Sequence, residues 1–390
     1  MENSKHRFHV LALPHTRTSR EFCACAYTQK VLNFCRMMRS LGHKVFHYGA
    51  EGSQVDCTGH VQIISAAEQA VFFGGVDWHK RTFPIQWEAD LPYWKLTNER
   101  AAEEINRRKR RGDFVCLVGG ACQKPIHDLV GEEKTITVEP FVGYYGIFAR
   151  HVVFESYTHQ AAVYAMTSKD PDGRLYDAVI PNSYDPADFP LGAHDGGYLL
   201  YLGRLARRKG LQIVLDVQRV TNLPLLLAGQ GVAQQEAHQI VTEEGMTIPL
   251  SDKIQYVGYA DIAQRAKLMG GARAVLMPTL YMEPFGGVGV EAQLCGTPVI
   301  TTDHAAFSET VRHGISGYRC HTLEQFTWAV HHVGLLVPPA QIRERAIDNY
   351  SIHHVRWMYQ EYFNMLAGLW DIGWPAPNPA RVDLNWLMKR

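Results

Sequence analysis

Met277–Asp303 reads MPTLYMEPFGGVGVEAQLCGTPVITTD. The apolar stretch Ala274–Met277 leads into it, and a turn rich in glycine (Gly286, Gly287, Gly289) follows. A helical segment carrying Glu291 comes next, and Pro298–Thr301 is apolar again. Strand, glycine turn, helix, strand is the unit from which open parallel sheets are built. The same alternation extends upstream: a strand at Tyr198–Leu202, a helix at Leu211–Val220, and strands at Leu225–Ala228 and Ile254–Val257. The first half repeats the theme. Phe8–Leu13 is apolar, Ala26–Leu41 has a helical pattern stopped by Gly42, and Lys44–Tyr48 reads as the next strand. Further strands are expected at Val61–Ile64, Phe114–Val118, Thr135–Val138, Val152–Phe154 and Ala178–Ile180. Between the halves, Ser183–Gly197 (SYDPADFPLGAHDGG) is rich in Pro, Gly and Asp and reads as a linker. Residues 341–368 are helical in pattern, and Trp370–Pro379 is a proline-rich tail.

The chain therefore divides into two α/β units, the expected size for 390 residues. Lys+Arg and Asp+Glu are both 39, so no global positive field is available for non-specific nucleic-acid binding. No apolar run approaches the roughly 18 residues of a membrane span, and the N-terminal run ending at Pro14 is too short for a signal peptide. The eight cysteines form no CxxC pair and no zinc-type spacing, which favours reduced thiols and a cytoplasmic protein.

Three segments of the second half carry candidate chemistry. In YLGRLARRKG, Gly203 ends a strand and Arg204 and Lys209 follow, two cations at a strand-to-helix turn suited to a diphosphate. A solvated basic loop would read the same way. In LLLAGQG, Gly229 and Gly231 allow close backbone approach, to a ligand or merely to another turn. In EPFGGVGVE, the Phe285–Val288 backbone offers N–H donors to an anion, and Glu283 and Glu291 flank it eight residues apart. Carboxylates beside a phosphate site are tolerable only if they touch polyols. A nucleotide sugar meets both demands: Glu283 on the sugar hydroxyls and Glu291 on the ribose.

GRLARRKG, EPFGGVGVE and the following EAQLCGTPVITTD…Glu309 resemble the retaining GT-B glycosyltransferases of family 4, glycosyl transferases group 1. The likeness runs almost continuously over Tyr198–Tyr318 and reaches the first half through GHKVFHYG (Gly42–Gly49) and IPNSYD (Ile180–Asp185). It implies a GT-B architecture, two Rossmann-like doubly wound parallel-sheet domains facing a central cleft. Residues 1–190 would bind the acceptor and 195–352 the nucleotide sugar, with the C-terminal helix, 353–390, crossing back. It implies that Gly203, Arg204, Lys209, Gly229, Phe285, Gly286, Gly287, Val288 and Glu291 bind the donor and that Glu283 holds the sugar. On the acceptor side, Glu139 stands where the family usually has a histidine, and His159 follows in the next segment. Other departures are Ala305-Ala306 for a glycine-containing pair and Pro278-Thr279 for Pro-Ser.

The expected activity is metal-independent transfer of a sugar, with retention, from a UDP- or GDP-sugar to an acceptor hydroxyl, with no cofactor beyond that co-substrate. A GT-B epimerase or phosphorylase, or a nucleotide-sugar-binding module without turnover, are the alternatives. The acceptor, a glycan, lipid, nucleobase or small molecule, is left open. Asp170-Pro171-Asp172 is formally a DxD, but Pro171 and Gly173 mark a turn. The helix Thr97–Arg111 pairs Glu103 and Glu104 with Arg107 and Arg108 at helical spacing, which suits a solvated face, an anionic partner or a membrane surface. Trp78, Trp87, Tyr93 and Trp94 are core, lid or stacking candidates, and His15 lies in the loop after the first strand.

Overall fold

The computed structural model describes residues 5–167, 173–174 and 176–372. Two parallel sheets dominate. The first contains β1 (Arg7–Leu11), β2 (Lys44–Ala50), β3 (Gly59–Ile64), β4 (Asp113–Cys116), β5 (Thr135–Val142), β6 (His151–Phe154) and β7 (Ala178–Val179), in the order β3-β2-β1-β4-β5-β6-β7. After the linker come β8 (Leu199–Leu202) and β9 (Leu225–Ala228). A small antiparallel sheet, β10 (Val232–Gln235), β11 (Gln239–Thr242) and β12 (Thr247–Pro249), is inserted next. The second large sheet is completed by β13 (Ile254–Gly258), β14 (Ala274–Met277), β15 (Val299–Thr302) and β16 (Gly317–Cys320), in the order β13-β9-β8-β14-β15-β16. The strand order reverses direction at β1/β4 in one sheet and β8/β14 in the other, and such points open a crevice at the carboxyl ends of the strands.

The sequence dictates these elements locally. Gly42 at φ +84° stops helix Ala26–Ser40, and Ser65 with Glu68, and Asp261 with Gln264, form capping boxes that start the helices Ala66–Phe73 and Ile262–Gly271. The strands expected from sequence are all present, Leu225–Ala228 and Ala274–Met277 with unchanged bounds and the others shifted by at most four residues at an end. The insertion β10–β12 and the edge strand β16 were not anticipated.

The C-terminal helical stretch is two helices, Pro339–Tyr350 and Ile352–Ile372. The first packs through Ala346 and Tyr350 into the second-half core. The other returns to the first sheet, where Phe363 meets Phe8 and Phe114 with ring centroids 4.7 Å from each. Truncating a ring buried so fully costs about 3–5 kcal/mol. The linker is stitched to the break between these helices: Tyr184 N–H donates to the Tyr350 carbonyl, and Ile352 N–H to the Tyr184 carbonyl, both at 2.9 Å. The chain thus leaves the first half and comes back to it at one place.

Candidate active site

The carboxyl ends of the two sheets face each other across a cleft of about 510 Å³. Polar contacts bridge it. Ser156 Oγ donates to the Pro284 carbonyl at 2.8 Å, Glu309 accepts from the Tyr157 and Thr158 N–H groups at 2.9 and 2.7 Å, and Arg20 pairs with Asp188 of the linker at 2.7 Å.

On the second-half wall, β8 ends at Gly203 and β9 at Gly229, whose φ is +131°. A Cβ on Gly229 would sit 2.0 Å from the Gly203 carbonyl oxygen, so the two strand-end loops touch backbone to backbone and no side chain fits between them. Arg204 follows Gly203 and is exposed, with no hydrogen bond or ion pair from its guanidinium to any described residue. Lys209 sits in the short turn Arg207–Lys209. Its ammonium donates to Tyr281 Oη and to Glu283 Oε2, each at 2.6 Å, and Tyr281 Oη donates to the same carboxylate oxygen at 2.7 Å. Burial, and then Glu283, push the Tyr281 phenol up. Arg208 lies over the Tyr281 ring at 5.0 Å.

After Glu283 the chain turns through Phe285 and Gly286, at φ +80°, into helix Gly287–Leu294. A Cβ on Gly286 would lie 2.6 Å from the Phe307 ring. This helix begins at the cleft, where Gly286, Gly287 and Val288 line the wall at the positive end of its dipole. One turn along, Glu291 is buried against Arg265, whose guanidinium reaches both carboxylate oxygens at 3.1 and 3.3 Å. Burial raises the Glu291 carboxyl and Arg265 opposes it.

Gly203, Arg204, Lys209, Gly229, Glu283, Phe285, Gly286, Gly287, Val288 and Glu291 therefore all line one cleft. Glu139 and His159 do not. Glu139 is fully buried, accepting from Tyr144 Oη at 2.9 Å and from the Phe148 and Ala149 N–H groups at 2.8 Å. β5 runs on to Val142 with a register shift after Glu139, so this residue lies within the strand, not at its open end. His159 is buried between Tyr145 and Phe154, with Nε2 3.1 Å from the Tyr144 carbonyl. Neither reaches the cleft, and the acceptor-side assignment moves away from both.

In their place the first-half wall presents Lys30 and Glu155, a buried ion pair, with Asn182 Nδ2 donating to the second Glu155 oxygen at 2.9 Å. His15 lines the cleft, held edge-on to Phe83 at 5.1 Å. Burial alone pushes its imidazole down to about 3. The segment Trp78–Thr82 straps the first half to the second. The Lys80 carbonyl accepts from Gly231 N–H at 2.7 Å, and Thr82 Oγ1 donates to Glu243 at 3.0 Å. Trp94 and Tyr93 are core residues, whereas Trp87 is 51% exposed at the cleft mouth.

Sequence reasoning missed Tyr281, Arg265, Lys30 and Glu155 as site residues. Tyr281 stood two positions before Glu283 in a stretch already singled out. Arg265 and Lys30 have no local signal, because their partners lie 26 and 125 residues away. Among the described residues no cluster of three or more His, Cys, Asp or Glu has metal-binding geometry, and Asp170 and Asp172 lie outside the described residues. Arg107 and Arg108 on the basic helix are paired with Glu103 and Glu104. No described helix is long and apolar enough to cross a membrane.

Residues 187–333 match the family model described as glycosyl transferases group 1. The chain is 35% identical over 155 residues to the phosphatidyl-myo-inositol mannosyltransferase of Mycobacterium tuberculosis, covering 36% of this chain and 39% of that protein. It is 30% identical over 177 residues to the glycogen synthase of the same organism, covering 43% and 42%. The matched region thus spans about two fifths of these relatives' length. In shape, the chain is similar to a sucrose-phosphate synthase from Thermosynechococcus elongatus, with a TM-score of 0.66 at 15% identity over 93% of this chain and 99% of that one. It is also similar to Anabaena HepE in complex with UDP-glucose, with a TM-score of 0.64 at 13% identity over 92% and 99%. The architecture is GT-B: two α/β units with a cleft between them.

Proposed function

We propose that this chain is a GT-B glycosyltransferase of the group 1 type, moving a sugar from a UDP- or GDP-sugar to an acceptor hydroxyl with retention and without a metal. The observation that carries the reading is the convergence of Arg204, Lys209, Glu283 and Glu291 on the open end of helix Gly287–Leu294. Cations and N–H donors at that end suit a diphosphate, and the two carboxylates suit the sugar and the ribose on either side of it. The likeness in fold to a protein described in complex with UDP-glucose agrees with such a donor.

Mechanistically, the glycosidic bond to the diphosphate lengthens first, and negative charge grows on the leaving oxygens. Arg204, Lys209 and the helix end stabilise that charge where it develops. Positive charge grows on the sugar ring, within reach of Glu283. The departing phosphate oxygen takes the acceptor proton on the face it vacates, so the acceptor enters on that same face. No protein nucleophile is required.

The test is a thermal-shift panel of UDP, GDP and their sugars, followed by an assay for nucleoside diphosphate released from UDP-glucose and GDP-mannose. A stabilising nucleotide and slow donor hydrolysis are expected. Binding without release would leave a binding module, and no binding would remove the donor site.

A further inference from the structure

The charges of the cleft are almost all spoken for. Around its wall, Lys30 is paired with Glu155, Arg20 with Asp188, Asp185 with Arg36, Lys209 with Glu283 and Arg265 with Glu291. Among the described cleft residues only Arg204 and Arg208 are cations without an ion pair, and both sit on the second-half wall. A diphosphate there would draw on them together with Lys209 and the end of helix Gly287–Leu294. The opposite wall has no spare positive charge for a second anion, and Glu155 would repel one in a cleft where water screens poorly.

What that wall does offer is hydrogen bonding. The Lys30–Glu155 pair leaves ammonium hydrogens and carboxylate lone pairs unused, and Asn182, whose amide nitrogen is committed to Glu155, keeps its carbonyl. The wall also faces the right place. Ser156, next to Glu155, donates to the carbonyl of Pro284, the residue after Glu283. The exposed face of Trp87 at the mouth suits the apolar side of a sugar ring.

We infer that the Lys30–Glu155–Asn182 cluster is the acceptor-recognition site and that the acceptor it takes is an uncharged polyhydroxyl compound, a free sugar, glycoside or cyclitol, rather than a phosphorylated or carboxylated one. The inference rests on the glycosyl-transfer reading for the opposite wall.

Two measurements test it on the whole chain. In the first, release of nucleoside diphosphate from UDP-glucose and GDP-mannose is followed with methyl glycosides and myo-inositol, and with the phosphate ester of each. The neutral compounds should accelerate release at least tenfold more than their phosphates. A phosphate ester that outruns its neutral counterpart, or no acceleration by either class, overturns the inference. In the second, inorganic phosphate is titrated calorimetrically. Binding should weaken at least tenfold in the double variant Arg204→Ala/Arg208→Ala and recover when Glu155→Gln is added to it, because Lys30 is then released. A phosphate site that survives the double variant and disappears with Lys30→Met overturns the inference. Loss of the donor reading looks different: neither UDP nor GDP binds, whatever the acceptor.

Discussion

Lys209 Nζ lies 2.6 Å from Glu283 Oε2, so the cation expected at the diphosphate and the carboxylate expected at the sugar form one ion pair, closed into a triangle by Tyr281 Oη. Glu283 is only 7% exposed. The pair fixes the carboxylate at the start of the glycine turn, and it makes the two ends of the donor site communicate. Arg204, exposed and unpaired, has no such entanglement.

The two cations should therefore behave differently when removed. Arg204→Ala should weaken UDP or GDP binding by about 1.5–3 kcal/mol, the range of a charged hydrogen bond, and leave the melting temperature unchanged. Lys209→Ala should weaken binding on the same scale and also lower the melting temperature, because Glu283 loses its buried partner. Calorimetry and thermal melts on both variants check this. Undiminished affinity in both would remove the diphosphate assignment.

Metal independence gives a simpler experiment. With Arg204, Lys209 and a helix end at the leaving group, turnover should persist in excess EDTA. Activity abolished by EDTA and restored by manganese would return Asp170 and Asp172 to consideration.

Buried histidines contribute to the response to acid. Burial pushes His47 down to about 3, with neighbouring His60 adding to the effect, and pushes His15 down to about 3 and His43 to about 4. Unfolded, each titrates near 6.5. Between those values the unfolded chain binds more protons than the folded one. The stability these neutral imidazoles contribute is thus complete above pH 6.5 and is lost as pH falls from there toward 3. Each group adds about 1.4 kcal/mol per pH unit to the slope within its window. Urea unfolding at pH 7.5, 6 and 5 should show this fall, and His47→Gln should make it shallower by about one proton. Stability that is flat across this range would contradict the burial argument.

The same histidines show what a sequence conceals. Their number was plain, but their purpose depends on remote partners: His43 Nε2 meets Gln360 at 2.9 Å and His6 Nε2 meets Asn364 at 2.8 Å, joining the C-terminal helix to the first sheet. The fold was legible because apolar strands alternate with helices stopped by Gly and opened by capping residues, all local signals. β10–β12 were not legible, since VAQQ, QIVT and TIP are short and half polar, and only their mutual pairing makes them a sheet. The second-half wall was legible because its residues sit at glycine-punctuated strand ends within one continuous stretch. The first-half wall was not. Lys30, Glu155 and Asn182 come from three distant segments, and Glu139, one strand-end candidate, was turned inward by a register shift no pattern announces.

The two donor-site glutamates should separate kinetically. On the proposed reading Glu283 faces the sugar ring where positive charge develops, so its contribution would grow toward the transition state and its loss should fall on the turnover number. Glu283→Gln should keep nucleoside-diphosphate affinity within a few fold and lower turnover by roughly a hundredfold or more, about 2.7 kcal/mol. On the same reading Glu291 holds the ribose, where binding would be alike in ground and transition states, so Glu291→Gln should weaken the free nucleotide and spare turnover at saturating donor. Its burial against Arg265 adds a second consequence. Glu291→Gln strands the guanidinium and should destabilise the fold by about 3–5 kcal/mol, so affinity must be measured where melts show the variant folded. Pairing it with Arg265→Met removes the stranded charge and should recover most of that stability without recovering nucleotide affinity. Affinity restored along with stability would make Glu291 a packing residue. Nucleotide affinity lost in Glu283→Gln and kept in Glu291→Gln would mean the donor lies in the cleft the other way round.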